Sequence, residues 1–158
     1  MKWNMPRRTS VAAMLAAGTM IVGGTAANAG ARVYAGDCTN GYVNAFETSS
    51  DTVIAVAYAG SHVVHLSRGW SNSSGTWVYW ARLVSAPRGS TVWLDWSDDA
   101  GASHAQCGAE TVDGSQGDGR WTWAVPEIRD GGTGYLRSFR AGAWVNGYRI
   151  ALTGWHSD

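Results

Sequence analysis

Four histidines, a dozen carboxylates and a scatter of serines are the groups in this chain able to move protons, attack carbonyls or hold metal ions. His62 and His65 stand three apart in an extended-looking run, which sends their rings to opposite faces and makes them a poor ligand pair. His104 and His156 stand alone. A Ser–His–Asp site assembles in space and not in sequence, but there is no Gly-x-Ser-x-Gly turn to present the serine. Asp95, Asp98 and Asp99 crowd together, and carboxylate oxygens are what calcium takes. Their spacing is not that of an EF-hand, and Asp98-Asp99 ahead of Gly101 reads more simply as a turn. The stretch from Asp113 to Gly119 reads the same way. A carboxylate pair for glycoside hydrolysis needs a cleft to identify it. No catalytic residue, metal ligand or cofactor is assigned on this basis. Asn72-Ser73-Ser74 has the pattern of a glycosylation sequon.

Tryptophan is the more telling residue, at ten copies in 158. Ala86-Pro87-Arg88-Gly89 reads as a four-residue hairpin loop, which sets Ser85 opposite Ser90. Leu83 then faces Val92, Ala81 faces Leu94 and Tyr79 faces Trp96, an apolar face for the core. The other face brings Arg82 to Trp93 and Trp80 to Asp95, with cross-strand neighbours about 5 Å apart. Solvated, these four would form a flat platform on which indoles stack against sugar rings while the charges orient polar groups. Covered, they would be a structural cation–π patch. Trp70, after Gly69 and before a Ser/Asn loop, is a further candidate ligand contact. Trp121, Trp123 and Val125 alternate with Arg120, Thr122 and Ala124, which marks the two indoles as core.

These residues must be positioned by strands. No stretch past the first thirty residues holds a 3.6-residue apolar period. Short β-branched and aromatic runs recur instead: Tyr42–Phe46, Thr52–Tyr58, His62–Ser67, Thr76–Ser85, Ser90–Ser97, His104–Thr111, Arg120–Val125, Ala143–Leu152 and a weaker Tyr135–Phe139. Clusters of Gly, Ser, Asn and Asp separate them. The expected fold is all-β, an antiparallel β-sandwich or barrel of about 7–9 short strands.

The first 29 residues have a different character. Lys2, Arg7 and Arg8 precede an apolar run from Val11 to Val22, and small residues follow up to Ala27-Asn28-Ala29. A positive head, an apolar middle too short to cross a bilayer and an Ala-x-Ala site make up a secretory signal cut after Ala29. The general secretory route is expected, because Thr9-Ser10 after Arg7-Arg8 lacks the apolar residues of the twin-arginine route. Residues 30–158 then form a single domain, with no transmembrane segment and an extracellular location.

Past residue 29 there are nine arginines, no lysine and twelve acidic residues, a net charge of −3. That argues against a nucleic-acid partner, which needs a clustered basic surface, and removes Schiff-base chemistry. The two cysteines, Cys38 and Cys107, can pair in only one way, and an exported chain favours that disulfide. In its arginine-only, glycine- and alanine-heavy composition the chain resembles small secreted proteins of high-GC Gram-positive bacteria. The resemblance is of composition alone and implies no site residue.

Three functions follow as expectations. The first is a secreted, non-enzymatic binding module for glycan or cell wall, acting through Trp80, Arg82, Trp93, Asp95 and Trp70. The second is a secreted inhibitor or protein-interaction domain, with Gly69–Gly75 the first loop to examine. The third is a small extracellular hydrolase, which requires a histidine and a carboxylate to meet in a cleft.

Overall fold

Runs of Val, Thr, Tyr and Trp make strands wherever alternate side chains can share an apolar layer. A computed structural model describes residues 33–36, 43–129, 134, 136–146, 148 and 150–158. It contains β1 (Val33–Gly36), β2 (Thr48–Ala59), β3 (His62–Ser71), β4 (Thr76–Val84), β5 (Thr91–Ser97), β6 (His104–Thr111), β7 (Arg120–Trp121), β8 (Val125–Pro126), β9 (Ser138–Trp144) and β10 (Ala151–Leu152). One sheet runs β1-β6-β5-β9-β10; the other runs β2-β3-β4-β7, with β8 also on β4. The one helical turn among the described residues is a 3-10 turn, Ala45–Glu47. Asn44 caps it by accepting from the Phe46 amide at 3.1 Å.

The two sheets face each other across one core. β4 contributes Tyr79, Ala81 and Leu83; β5 contributes Val92 and Leu94; β9 contributes Phe139, Ala141 and Ala143. Tyr79 and Phe139 stack nearly parallel, with centroids 4.0 Å apart, and so tie one sheet to the other. β2 and β10 lie together at one lateral edge of the pair.

The expected fold class is corrected in two respects. Neither sheet closes on itself, so there is no barrel. β1 and β6 run parallel, so the body is not wholly antiparallel. The expected disulfide is not among these corrections: Cys107, buried in β6, is disulfide-bonded, and the chain's other cysteine, Cys38, lies outside the described residues.

The expected β4–β5 hairpin is not formed either. The chain turns at Ser85, whose φ is 52°, and crosses from one sheet to the other. Ser90 N–H closes a turn on the Pro87 carbonyl at 3.1 Å, and the other backbone groups bond outward: Ala86 N–H donates to Asp118 at 2.7 Å, Gly89 N–H to Val112 at 2.9 Å, and Val112 N–H to Ser90 at 2.8 Å. Pro and Gly mark a reversal, but a reversal joining two stacked sheets uses the same residues as one within a sheet.

Two smaller expectations also change. The run Ala143–Leu152 is broken by a turn in which Tyr148 N–H bonds to the Val145 carbonyl at 2.8 Å. Of Tyr42–Phe46, Tyr42 lies outside the described residues, and Val43 makes only a single bridge, to Ala124.

Candidate functional site

The four residues expected to form one patch are divided between the two sheets. Trp80 and Arg82 alternate with the core residues of β4, and Trp93 and Asp95 with those of β5. They therefore lie on opposite outer faces of the protein. The inward and outward assignment of each strand holds, while the pairing does not.

Nor is the divided pair on β5 a platform. Asp95 is 1% exposed and accepts from Arg140 Nη2 at 2.6 Å and Gln106 Nε2 at 3.3 Å. Trp93 lies flat over Gly142, its cross-strand partner, where any added side chain would collide with the indole. Trp70 is no loop tip: it belongs to β3, partly buried, and packs edge-on against Trp77 at 5.7 Å. With the platform goes the glycan or cell-wall reading that rested on it.

The other two expectations gain no assembled site among the described residues. Gly69 and Trp70 lie in β3, which ends at Ser71, so the proposed interaction loop shrinks to a four-residue turn closed by Gly75 N–H on the Ser71 carbonyl at 2.8 Å. Among the described residues no histidine is ion-paired or hydrogen-bonded to a carboxylate. His62 instead meets the Ser85 carbonyl, and His104, which lines one concavity together with Asp98 and Asp99, packs edge-on to Trp155. No group of three His, Cys, Asp or Glu suited to a metal occurs among the described residues. None of their helices is long and apolar enough to cross a membrane.

What the fold does build is a cleft of about 340 Å³ on the outer face of the second sheet. Its floor crosses three strands through Val53, Ser67 and Trp80, consecutive cross-strand neighbours. Arg82 and Trp121, themselves paired across β4 and β7, form one end. Asp51 and Thr52 form another part of the wall, and Ala45 and Phe46 of the 3-10 turn overhang it.

Each wall is fixed by local bonds. The Thr48 hydroxyl lies between the Ala45 carbonyl (2.6 Å) and Asp51 Oδ1 (2.7 Å), which ties the turn to β2. Gly69 is required beneath them, since a Cβ there would sit 2.7 Å from Asp51 Oδ1. Trp80 is 5% exposed, held under Val43, Ala45 and Ala124. Phe46 meets Trp121 edge-on at 4.5 Å.

Trp121 is outward because Thr122 is inward. The Thr122 side chain accepts from the Ala81 amide at 3.1 Å and donates to the Trp123 carbonyl at 2.9 Å. A buried main-chain donor needs a partner, and a threonine hydroxyl supplies one where an indole cannot. Trp123 is accordingly 41% exposed, and the expectation that both indoles are core is corrected. Thr153 repeats the device in the other sheet, accepting from Ala141 N–H at 3.0 Å and donating to the Gly154 carbonyl at 2.9 Å.

Arg82 is exposed and makes no ion pair with any described residue, unlike Arg120, Arg137 and Arg140. Its cross-strand neighbour His65 is held below the ordinary imidazole range, chiefly by burial and then by the Arg82 charge. The cleft thus carries one uncompensated guanidinium beside aromatic walls. Sequence reasoning found Trp80 and Arg82 but missed Phe46, Asp51 and Trp121. Of these only Trp121 left a trace, since Thr122 and Ala124 are small enough for a tight inner layer.

The other concavities are less open to a ligand. One of about 220 Å³ shares Phe46 and Trp121 but holds Arg120 already paired with Glu110 at 2.9 Å. One of about 270 Å³ holds Asp98, bound by Arg137 at 2.8 Å. It also holds Asp99, whose carboxyl is brought down to about 2 by the Ser103 hydroxyl and amide and then by Ser97. Compared with protein-family models, curated proteins and solved structures, the chain matches none.

Proposed function

We propose that the protein holds a small planar molecule carrying an anionic group in the cleft between Arg82, Trp80 and Trp121. The observation that carries this reading is the unpaired Arg82 guanidinium set at the end of an aromatic-walled cavity. A guanidinium offers a fork of donors that fits a carboxylate or phosphate, and the indole and phenyl walls suit a flat apolar body. The volume is at the lower end of small-molecule sites, about 300–1,000 Å³. Asp51, on the wall two strands away from Arg82, sets the polarity: the anionic end goes to Arg82, and any donor on the ligand goes toward Asp51. This is a recessed site for one small solute, unlike the surface platform that the sequence suggested.

Indole-3-acetate and its neutral amide are suitable probes, read by calorimetry. A charge-assisted hydrogen bond contributes about 1.5–3 kcal/mol, so Arg82→Gln should weaken the carboxylate by about 10-fold or more while leaving the amide unchanged. Equal binding of the carboxylate by wild type and Arg82→Gln, or no binding by wild type, sinks the reading.

The protein would do this outside the cytoplasm, on the strength of the amino-terminal pattern alone. Intact-mass measurement of the exported protein should give a chain beginning at Gly30; a retained Met1–Ala29 segment counts against export by cleavage.

A further inference from the structure

Six of the ten large apolar side chains left exposed among the described residues gather at two strands. Val53, Val56 and Tyr58 lie on β2, and Tyr148, Ile150 and Leu152 lie on or just before β10. These are the terminal strands of the two sheets, and they lie together at one edge. Tyr148 binds the two halves of this edge, with its ring against Gly60 and edge-on to His62 at 5.1 Å. Among the described residues, nothing pairs with the outer edge of β2.

An open strand edge is a template for another strand, and proteins commonly blunt it with bulges, charges or proline. The first half of β2 is blunted in this way. Ser50 has φ 58°, the register with β3 shifts between Ser49 and Thr52 and again between Val53 and Ala55, and Asp51 is charged. The second half, Ala55–Ala59, is regular and carries neither charge nor proline.

We propose that this edge pairs with the same edge of a second copy of the chain, antiparallel about Ala57. That register sets Val56 opposite the partner's Tyr58 and Tyr58 opposite the partner's Val56, an aromatic and β-branched match that favours pairing. A two-fold axis makes both contacts at once. It opposes no like charges, because Asp51 falls beyond the paired stretch. The stretch Ala55–Ala59 alternates alanine with one large side chain on either side of Ala57, so the edge complements its own copy. Tyr58 is 68% exposed, Ile150 56% and Val56 46%. Aromatic side chains bury about 150–250 Å² when covered, so these groups with the strand edge make an interface in the weak class, below about 1,200 Å² in total.

Sedimentation of the purified protein between about 1 and about 500 µM spans the dissociation range of such an interface. A concentration-dependent monomer–dimer equilibrium is expected, with amides of Ala55–Ala59 gaining hydrogen-exchange protection at the high end. Val56→Lys should stay monomeric throughout with an unchanged melting temperature. Should Val56→Lys melt earlier, Tyr58→Lys at the more exposed position provides the same test. Ile128→Lys, at another exposed apolar position, should dimerise like wild type. A wild type monomeric over the whole range overturns the proposal. So does a dimer that survives both β2 substitutions, or one without protection at Ala55–Ala59.

Discussion

Asp95→Ala is expected to destabilise the protein by about 3 kcal/mol, although Asp95 sits on the face of β5 turned away from the core. Its carboxylate is almost wholly buried, bonded by Arg140 through Nη2 at 2.6 Å and Nε at 3.0 Å, and by Gln106. Arg140 in turn lies over the Trp155 ring at 4.5 Å. Removing the carboxylate leaves a guanidinium without its counter-charge and an amide without its acceptor. Breaking a buried pair costs about 3–5 kcal/mol, and Arg140 at 23% side-chain exposure regains some water, which places the value at the low end. Asp95→Asn keeps the shape and one acceptor oxygen, and should cost less. Urea denaturation reads both. A midpoint for Asp95→Ala within error of wild type would show that the network holds nothing together.

Phe139→Ala should cost more, about 4 kcal/mol. Phe139 is fully buried and stacked on Tyr79, so truncation removes the ring that joins β9 to β4 and leaves a cavity between the sheets. The surrounding alanines, Ala81, Ala141 and Ala143, are too short to fill it. Tyr79, which would line the cavity, is itself almost fully buried. Burial, followed by the Glu127 carboxylate, already pushes its phenol up, so it remains the neutral form across the physiological range. Phe139→Leu retains most of the volume and should cost about 1–2 kcal/mol. Against a typical total of about 5–15 kcal/mol, the alanine variant should show an early, still cooperative melt. A loss under about 1 kcal/mol would mean that the sheets are joined elsewhere.

The sequence was legible wherever one physical signal decided the outcome. Alternation on β4 and β5 placed Leu83, Ala81, Tyr79, Val92 and Leu94 inward, because each of these strands has one face on the core. It failed at Trp121 and Trp123, where size suggested core but the Ala81 amide needed the Thr122 hydroxyl. It failed again at Ala86–Gly89, since turn residues specify a bend and not which sheet receives the next strand. That second failure dismantled the site. Trp80 and Arg82 were correctly turned outward, but their companions come from Phe46, Asp51 and Trp121, all distant in sequence. Nothing in the local pattern of β4 could name them.

The crossing at Ser85 also governs how the molecule must form. Were β4 and β5 a hairpin, the centre of the fold could close around a short local loop. Instead β4, though joined to β3 by a short turn, waits on its other side for β7 and β8, some forty residues on, while β5 waits for β9. The pairings that complete both sheets are therefore between remote segments, whose loop-closure entropy is spent before any contact rewards it. Refolding on a time scale of roughly milliseconds to seconds, as for other β proteins of non-local topology, is the consequence. During that interval the uncharged half of β2 stands open, so the edge that pairs two native copies is also where two incomplete chains would first adhere.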